Sequence, residues 1–234
     1  MPDLQRYLPV LQTGRWFAQL PPEFSQALLT LAKLRTLQPG EALFLRDGAP
    51  CGLYALVNGS LRISGQSGNR DAAREALLVR LTPPQWFGEI SVFDGSARTH
   101  HAHAVDACTL LQVPHDDLLT WLQTHPSYWR DLATLMADKL RMAFVNLEEQ
   151  AVLPAPQRLA RRLLGMAQSY GQRHANGHTQ RVLTMTQEEL ALMVGVSRQT
   201  TNQILKQLQA QGALRIQRGG LELLNTDVLR ALCD

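Results

Sequence analysis

The chain has 234 residues, of which 45% are hydrophobic and 18% charged, a composition typical of a globular protein with one or two domains. No apolar run approaches the roughly 18 residues of a transmembrane helix, and the first residues lack a basic segment followed by an apolar one, so we expect a cytoplasmic protein. The three cysteines, Cys51, Cys108 and Cys233, are odd in number and far apart, which indicates neither a disulfide framework nor a cysteine metal site.

The net charge of +3 is unevenly distributed along the chain. Residues 154–234 contain ten Lys or Arg and five Asp or Glu, a net charge of +5, whereas residues 1–153 carry −2. A module that binds phosphates requires such a concentration of positive charge. A solvated basic surface would give the same count, so charge alone does not decide between these interpretations.

The first part of the chain is predicted to be helical and then β-rich. Pro21 and Pro22 open a predicted helix over residues 23–34. Turn residues then separate short candidate strands at residues 42–45, 52–58, 60–65, 75–81, 99–105 and 109–114. Many short strands predict an antiparallel barrel or sandwich. Asn58-Gly59, between two apolar segments, is the strongest hairpin signal.

The pattern becomes helical again near residue 125. Pro126 begins a predicted long helix that continues to about residue 150, with a narrow apolar stripe of Leu132, Met136, Leu140, Ala143 and Leu147. The spacing is close to that of a coiled-coil seam, which favours a homodimer over a helix packed on its own β-domain. Leu-Pro-Ala-Pro at residues 153–156 then indicates a hinge, and a further helix is predicted over residues 157–169.

Residues 186–211 are predicted to form two short helices joined by a tight turn. Thr186 suits an N-cap position and Gly195 suits a left-handed turn. Ser197 caps a second helix that directs side chains able to bind base edges and phosphates outward, namely Arg198, Gln199, Asn202, Gln203 and Lys206. A hairpin around Arg218-Gly219-Gly220 follows. These features predict a helix-turn-helix with a small β-wing and, after it, a last helix ending near residue 232.

The second informative segment is residues 86–102, WFGEISVFDGSARTHHA. Gly88 permits close approach of the backbone to a ligand, and a helical turn over residues 89–93 would direct N–H groups at an anion. Arg98 can bind a phosphate, Thr99 can donate a hydroxyl, and Glu89 can accept from a ribose hydroxyl. These groups together indicate a nucleotide site. An internal ion pair between Glu89 and Arg98 explains the same residues equally well.

Three ordered motifs resemble those of the cyclic-AMP receptor protein and fumarate–nitrate regulator (Crp/Fnr) family of bacterial transcription factors. They are L-Y-x-L-V-x-G-x-L-R at residues 53–62, F-G-E-I-S-x-F-D-G-x-x-R-T at 87–99 and T-Q-E-E-L-A-x-x-V-G-V-S-R-Q-T at 186–200. The resemblance implies an α+β fold. Its parts would be a jelly-roll-like β-barrel of the cyclic-nucleotide-binding type (1–125), a dimerisation helix with a hinge (126–153) and a winged helix-turn-helix domain (154–234).

The resemblance also implies an effector site. A 3′,5′-cyclic nucleotide would be held through its sugar and phosphate by Gly88, Glu89, Arg98, Thr99 and the backbones of Ile90 and Ser91. Members that respond to cyclic AMP offer the base a Thr-Ser pair, where this chain has Ala143 and Phe144. Cyclic AMP, cyclic GMP, a cyclic dinucleotide or another effector, and ligand-independent regulation therefore remain alternatives.

For the output, the resemblance implies an allosteric homodimer that binds a near-palindromic operator in double-stranded DNA and has RNA polymerase as a partner. Arg198 matches a position that reads guanine, and Gln199 and Gln203 favour adenine. The other DNA-binding residues would be Thr186, Ser197, Thr200, Lys206 and Arg218, the last four meeting phosphates.

Neither a metal site nor a catalytic site is expected. His101 and His103 fall on the outer face of a predicted strand and His100 on the inner face, where it could touch a nucleotide. We favour a solvated strand face over metal ligation. No cysteine precedes Cys51, which disfavours an iron–sulfur cluster. The chain also lacks a phosphate loop with lysine, G-x-S-x-G and HExxH, so we expect no enzyme.

Overall fold

The computed structural model describes residues 4–67, 74–167 and 182–233. They form two compact units, one containing residues 4–66 and 78–141 and the other residues 67, 74–77, 142–167 and 182–233. The α-helices are α1 Leu8–Gln12, α2 Pro22–Leu31, α3 Ile90–Asp94, α4 His115–Thr124, α5 Trp129–Val152, α6 Ala155–Ala167, α7 Gln187–Val194, α8 Arg198–Ala210 and α9 Thr226–Cys233. In the described ranges, no helix combines the length and the apolar character needed to cross a bilayer.

In the described residues the strands form three sheets. Their bounds are β1 Lys33–Leu37, β2 Ala42–Phe44, β3 Leu53–Asn58, β4 Leu61–Ser67, β5 Arg74–Leu81, β6 Trp86–Phe87, β7 His101–Ala104, β8 Cys108–Val113, β9 Val182–Leu183, β10 Leu214–Gln217 and β11 Gly220–Leu223. Two four-stranded sheets have the orders β1-β8-β3-β6 and β2-β7-β4-β5, and a three-stranded sheet has the order β10-β11-β9. The first two are separate sheets, so the predicted β-domain is a two-sheet sandwich and no closed barrel forms in the described residues.

The environment of strand β3 explains why its sequence is an uninterrupted apolar run. Alternate side chains of a strand point to opposite faces, and both faces of β3 are covered. Leu53 and Ala55 pack with the surrounding helices, while Tyr54 and Leu56 pack in a second cluster with residues of both sheets. The strand is therefore the central element of the first unit.

The predicted hairpin at Asn58-Gly59 is wrong, although a turn does form there. Strand β3 lies in one sheet and β4 in the other, so the turn connects the two layers. Gly59 has φ +83°, and a Cβ there would lie 2.4 Å from the Ala107 carbonyl oxygen. Ser60 donates its N–H to Asp106 (2.7 Å), which fixes the turn against a distant loop. Local turn chemistry cannot distinguish a hairpin from this crossover.

The predicted helix over residues 23–34 is too long. Helix α2 ends at Leu31, Ala32 is extended (ψ 143°), and β1 begins at Lys33. Strand β1 pairs with β8, placing Lys33 opposite Gln112. The sequence pattern also indicated no helix at α4 and no strand at β6. In each case, partners far away in the sequence decide the local structure.

Helix α5 begins with core residues and continues with exposed ones. Leu132 and Leu135 are buried with the N-terminal helices, so Leu132 is a core residue and no part of an exposed seam. Leu140 is 53% exposed, and Phe144 and Leu147 are each 62% exposed. The hinge predicted at residues 153–156 is shorter than expected, since α5 ends at Val152 and α6 starts at Ala155. Of the helix predicted over 157–169, residues 168 and 169 lie outside the described residues.

The second unit contains the predicted winged helix-turn-helix. Its core combines α6, the two helices α7 and α8, the small sheet and α9, through Leu159, Leu163, Leu190, Leu205, Leu214 and Leu229. Asn225 Oδ1 accepts the Asp227 N–H (2.9 Å) at the start of α9, as an N-terminal cap does. The packing fixes α8 by its apolar face and leaves its other face to solvent.

Candidate DNA interface and effector site

The first helix of the helix-turn-helix starts with a reciprocal cap. Thr186 Oγ1 accepts the Glu189 N–H (3.1 Å), and the Glu189 carboxylate accepts the Thr186 N–H (2.8 Å). This capping box satisfies two backbone donors that a helix start would otherwise leave open. The Thr186 hydroxyl also donates to Glu189 (3.0 Å). Helix α7 ends at Gly195, whose φ of +70° allows the sharp turn.

Helix α8 presents a polar face to solvent. Ser197 caps it by accepting the Thr200 N–H (3.0 Å), and their hydroxyls lie 2.8 Å apart. Ile204, Leu205 and Leu208 are buried. The exposed side chains of α8 include Arg198, Gln199, Gln203 and Lys206. The structure thus brings the predicted reading residues together on one face, on which only Thr200 and Asn202 are half-buried.

The β-wing lies next to the start of α7. Gln217 pairs with Gly220, so Arg218 and Gly219 form a two-residue turn with Arg218 exposed. A cleft of about 420 Å³ is lined by Met185, Thr186, Gln187, Glu188, Arg198, Ile216, Gln217, Gly219, Gly220 and Leu221. Glu188 and Arg198 are the charged residues of this lining, and Glu188 Oε2 lies 3.9 Å from Arg198 Nε.

In the first unit, the segment Gly88–Thr99 begins with a glycine that no other residue could replace without strain. Gly88 has φ +95°, and a Cβ would lie 2.8 Å from the Gly52 carbonyl oxygen and 3.0 Å from Arg98 Nη1. Helix α3 follows at once. Glu89 is buried and accepts from Lys139 Nζ at 2.6 Å. This ion pair connects the segment to the first half of α5.

Arg98 is 3% exposed, and the protein itself occupies its donors. Nη1 donates to the Gly88 carbonyl (2.9 Å) and Nη2 to the Gly52 carbonyl (2.6 Å). Nε and Nη2 also lie 3.3 and 3.1 Å from Cys51 Sγ. The guanidinium carbon stands 4.5 Å from the centre of the Phe44 ring, a cation–π contact. The alternative in which Glu89 and Arg98 pair with each other is therefore wrong.

The other predicted ligand residues differ in how much of their surface is exposed. Ile90 is partly exposed and Ser91 is buried at the start of α3. Thr99 is exposed, with Oγ1 2.8 Å from His100 Nδ1. Ala143 and Phe144 are exposed on α5. Lys139, which contacts Glu89, and Cys51 and Gly52, which contact Arg98, were not predicted from the sequence. They lie about 50 positions from their partners, and no local signal marks them.

The histidine segment follows the predicted alternation. Ala102 and Ala104 are buried, whereas His101 and His103 are half-buried on the outer face of β7. The pKa values of His100 and His103 are both lowered, mainly by burial. Electrostatic interactions with Arg46 and His101 lower the pKa of His100 further, and those with Arg62 and His101 lower the pKa of His103. His101 Nδ1 accepts the backbone N–H of Arg46 (3.2 Å), so this ring nitrogen has a partner within the protein. No cluster of three or more potential metal ligands occurs within the described segments.

Comparison with known proteins matches both units. A Crp-like helix-turn-helix domain is recognised over residues 157–232 and a cyclic nucleotide-binding domain over residues 34–125. The chain is 30% identical over 191 residues to a CRP-like cAMP-activated global transcriptional regulator of Mycobacterium tuberculosis, covering 80% of this chain and 84% of that protein. It is 27% identical to the cyclic AMP receptor protein of Thermus thermophilus, covering 92% and 95%.

A solved structure agrees on the fold. The c-di-GMP responsive global regulator of Xanthomonas campestris superposes with a TM-score of 0.68 at 22% identity, covering 87% of this chain and 99% of that one. A cyclic nucleotide-binding domain joined to a Crp-like helix-turn-helix domain defines a DNA-binding transcription regulator. The chain belongs to the Crp/Fnr family of such regulators.

Proposed function

We propose that the protein is a homodimeric regulator that reads a near-palindromic operator with α8 and is controlled by an anionic effector at Gly88–Thr99. In this proposal the sensor part ends near residue 125, the dimer helix with its hinge follows to residue 153, and the DNA-binding part starts at residue 154. The observation that carries the proposal is the exposed face of α8, where Arg198, Gln199 and Gln203 have no role in the core.

For DNA reading, each of these side chains has a chemical match. A guanidinium fits the O6 and N7 acceptors of guanine, and a carboxamide fits the N6 and N7 groups of adenine. Ser197, Thr200, Lys206 and Arg218 would contact phosphates and set the register. Thr186 has its hydroxyl committed to Glu189, so its contribution to DNA binding would be the orientation of α7.

For dimerisation, we propose the exposed apolar stripe Leu140, Phe144 and Leu147 on α5 as the contact with a second copy of this chain. These residues are four and three positions apart and so share one helix face. Large apolar side chains exposed in a row are typical of an interface. Two copies would place two α8 helices about 34 Å apart, one turn of DNA.

For control, a nucleotide phosphate would bind Arg98 and Thr99 and its ribose would bind Glu89. Arg98 would then exchange at least one present acceptor, such as Cys51 Sγ, for a phosphate oxygen. Ala143 and Phe144 would meet the base, by family resemblance, with Phe144 able to stack on it. An effector changes DNA affinity only if it binds the two arrangements of the dimer unequally, here through the hinge at Leu153 and Pro154. RNA polymerase is the proposed partner at the promoter.

The effector itself is proposed by chemistry: cyclic AMP or cyclic GMP first, and a cyclic dinucleotide second. A ligand-independent regulator is the alternative, and one observation favours it: two carbonyls of the protein accept hydrogen bonds from Arg98, and Lys139 pairs with Glu89. Calorimetric titration with each nucleotide distinguishes these. Micromolar-range binding that Thr99→Ala and Arg98→Lys weaken supports the site; no heat with any of the nucleotides, together with DNA binding unchanged by them, supports ligand independence.

A further inference from the structure

The cleft beside the β-wing places an acidic residue against the arginine that we propose reads guanine. Glu188 is the second residue of α7 and Arg198 is the first residue of α8. Their side chains are 62% and 71% exposed. Glu189, the neighbour of Glu188, forms the capping box, so the cap does not require Glu188. The carboxylate of Glu188 is therefore available for another role.

The carboxylate of Glu188 lies nearest to the Nε edge of the Arg198 guanidinium, at 3.9 Å. A guanidinium has five N–H donors in a rigid plane, and the two Nη groups form the fork that matches guanine O6 and N7. We expect attraction at this edge to restrict rotation of the guanidinium plane and to leave the two Nη groups for a guanine.

The Glu188 carboxylate also disfavours contacts between Arg198 and DNA phosphates, which carry no sequence information. The cleft is lined by one cation and one anion, Arg198 and Glu188. A DNA phosphate that approached Arg198 from the cleft would meet the negative charge of Glu188, whereas a guanine edge presents only neutral acceptors. Repulsion of this kind lowers non-specific affinity more than specific affinity.

We propose that Glu188 is a positioning residue that orients Arg198 and raises the preference of the protein for its operator over other DNA. The inference rests on the proposed role of Arg198 in base reading. In this inference Glu188 contacts no base, but it determines how selectively Arg198 recognises guanine.

The test measures a specificity ratio. The probes are a duplex selected by the wild-type chain from a random library and a shuffled duplex of the same composition, each titrated by fluorescence anisotropy at low and at physiological salt. Glu188→Gln keeps the shape and removes the charge. An exposed ion pair changes an equilibrium by about 1.4- to 5-fold, so we expect the ratio to fall by about 3- to 5-fold at low salt, mainly through tighter binding of the shuffled duplex.

Two controls separate positioning from a general charge effect. Asp227→Asn, on α9, makes the same change in net charge at an exposed ion pair with Arg230 and should leave the ratio unchanged. In an Arg198→Ala background, Glu188→Gln should no longer change the ratio. The melting temperature should change little in all of these variants, since the side chains of both ion pairs are more than half exposed.

The outcomes are distinguishable from failure of the proposed function. An unchanged ratio for Glu188→Gln, or the same fall with and without Arg198, overturns the positioning role. If Arg198→Ala itself retains full sequence preference, the proposed base reading by α8 is overturned first. A ratio that falls for Glu188→Gln alone and depends on Arg198 supports the inference.

Discussion

The two arginines on which the proposed function depends lie in opposite environments. Arg98 is buried, with its donors directed at two carbonyls and a thiol of the same unit. Arg198 is exposed, and its single ion-pair partner among the described residues is the exposed Glu188. A satisfied buried group contributes to folding, whereas an exposed one is available to a partner. Substitutions of the buried residues in Gly88–Thr99 should therefore change stability, and substitutions on the exposed face of α8 or on the α5 stripe should change binding alone.

The largest effect is expected on the α5 stripe. Phe144→Glu together with Leu147→Glu would bury four charges in a dimer seam, and an unpaired buried charge is costly enough to weaken association by about 100-fold or more. Because both side chains are 62% exposed, the fold of each protomer should persist. Sedimentation velocity and circular dichroism measure the two effects.

Val145→Glu is the matched control for the seam. Val145 is 42% exposed and lies about 140° around the helix from Leu140. It should leave the dimer intact. Equal dissociation by both variants would place the interface elsewhere on α5.

The next effect is expected at the reading helix. Arg198→Ala should lower the preference for the selected duplex over a shuffled one by about 5- to 150-fold, the effect of one bidentate guanine contact. The melting temperature should not move. Arg218→Ala on the wing should instead weaken binding to both duplexes equally and reduce the salt dependence of the affinity by about one ion. If Arg218→Ala lost the preference for the selected duplex and Arg198→Ala kept it, Arg218 would be the base-reading residue and Arg198 the phosphate contact.

The buried side of the comparison is tested by two glycines of the same segment. Gly88 and Gly95 both have positive φ, but a Cβ at Gly88 would meet the Gly52 carbonyl, whereas nothing lies within 4 Å at Gly95. We expect Gly95→Ala to cost about 1 kcal/mol in free energy of unfolding and Gly88→Ala about 2–4 kcal/mol. Urea denaturation measures both, and equal costs would contradict the packing around Arg98.

The smallest effect concerns pH. In the folded chain the pKa values of His100 and His103 lie below the ordinary 6.5. Below about pH 6.5 the unfolded chain then binds more protons, so the stability falls as the pH falls through the lowered values. His100→Gln with His103→Gln should reduce this loss, so that the difference in stability between pH 8 and pH 5.5 becomes smaller. A thermal melt at pH 5.5 and 8 measures it, and an unchanged acid sensitivity would contradict the assignment.

The same contrast explains how much the sequence could predict. Helices α7 and α8 were predictable because caps, the turn glycine and apolar spacing all lie within 26 consecutive residues. Residues 33 and 34 were assigned to a helix because no glycine or proline marks its end, and only pairing with β8 makes them a strand. The partners of Arg98 and Glu89 are 46 to 50 positions away, at Gly52, Cys51 and Lys139. The sequence pattern singled out Arg98 and Glu89 as candidates, but local spacing carries no signal for hydrogen-bond partners this far away.

The central claim is that two copies of this chain read DNA symmetrically through α8. Selection of random duplex DNA by the wild-type protein, followed by sequencing, tests it directly. The account predicts enriched near-palindromes whose half-sites are about one helical turn apart and each contain a guanine that Arg198→Ala no longer selects. Enrichment of asymmetric single sites, or no enrichment above the input library, would contradict it.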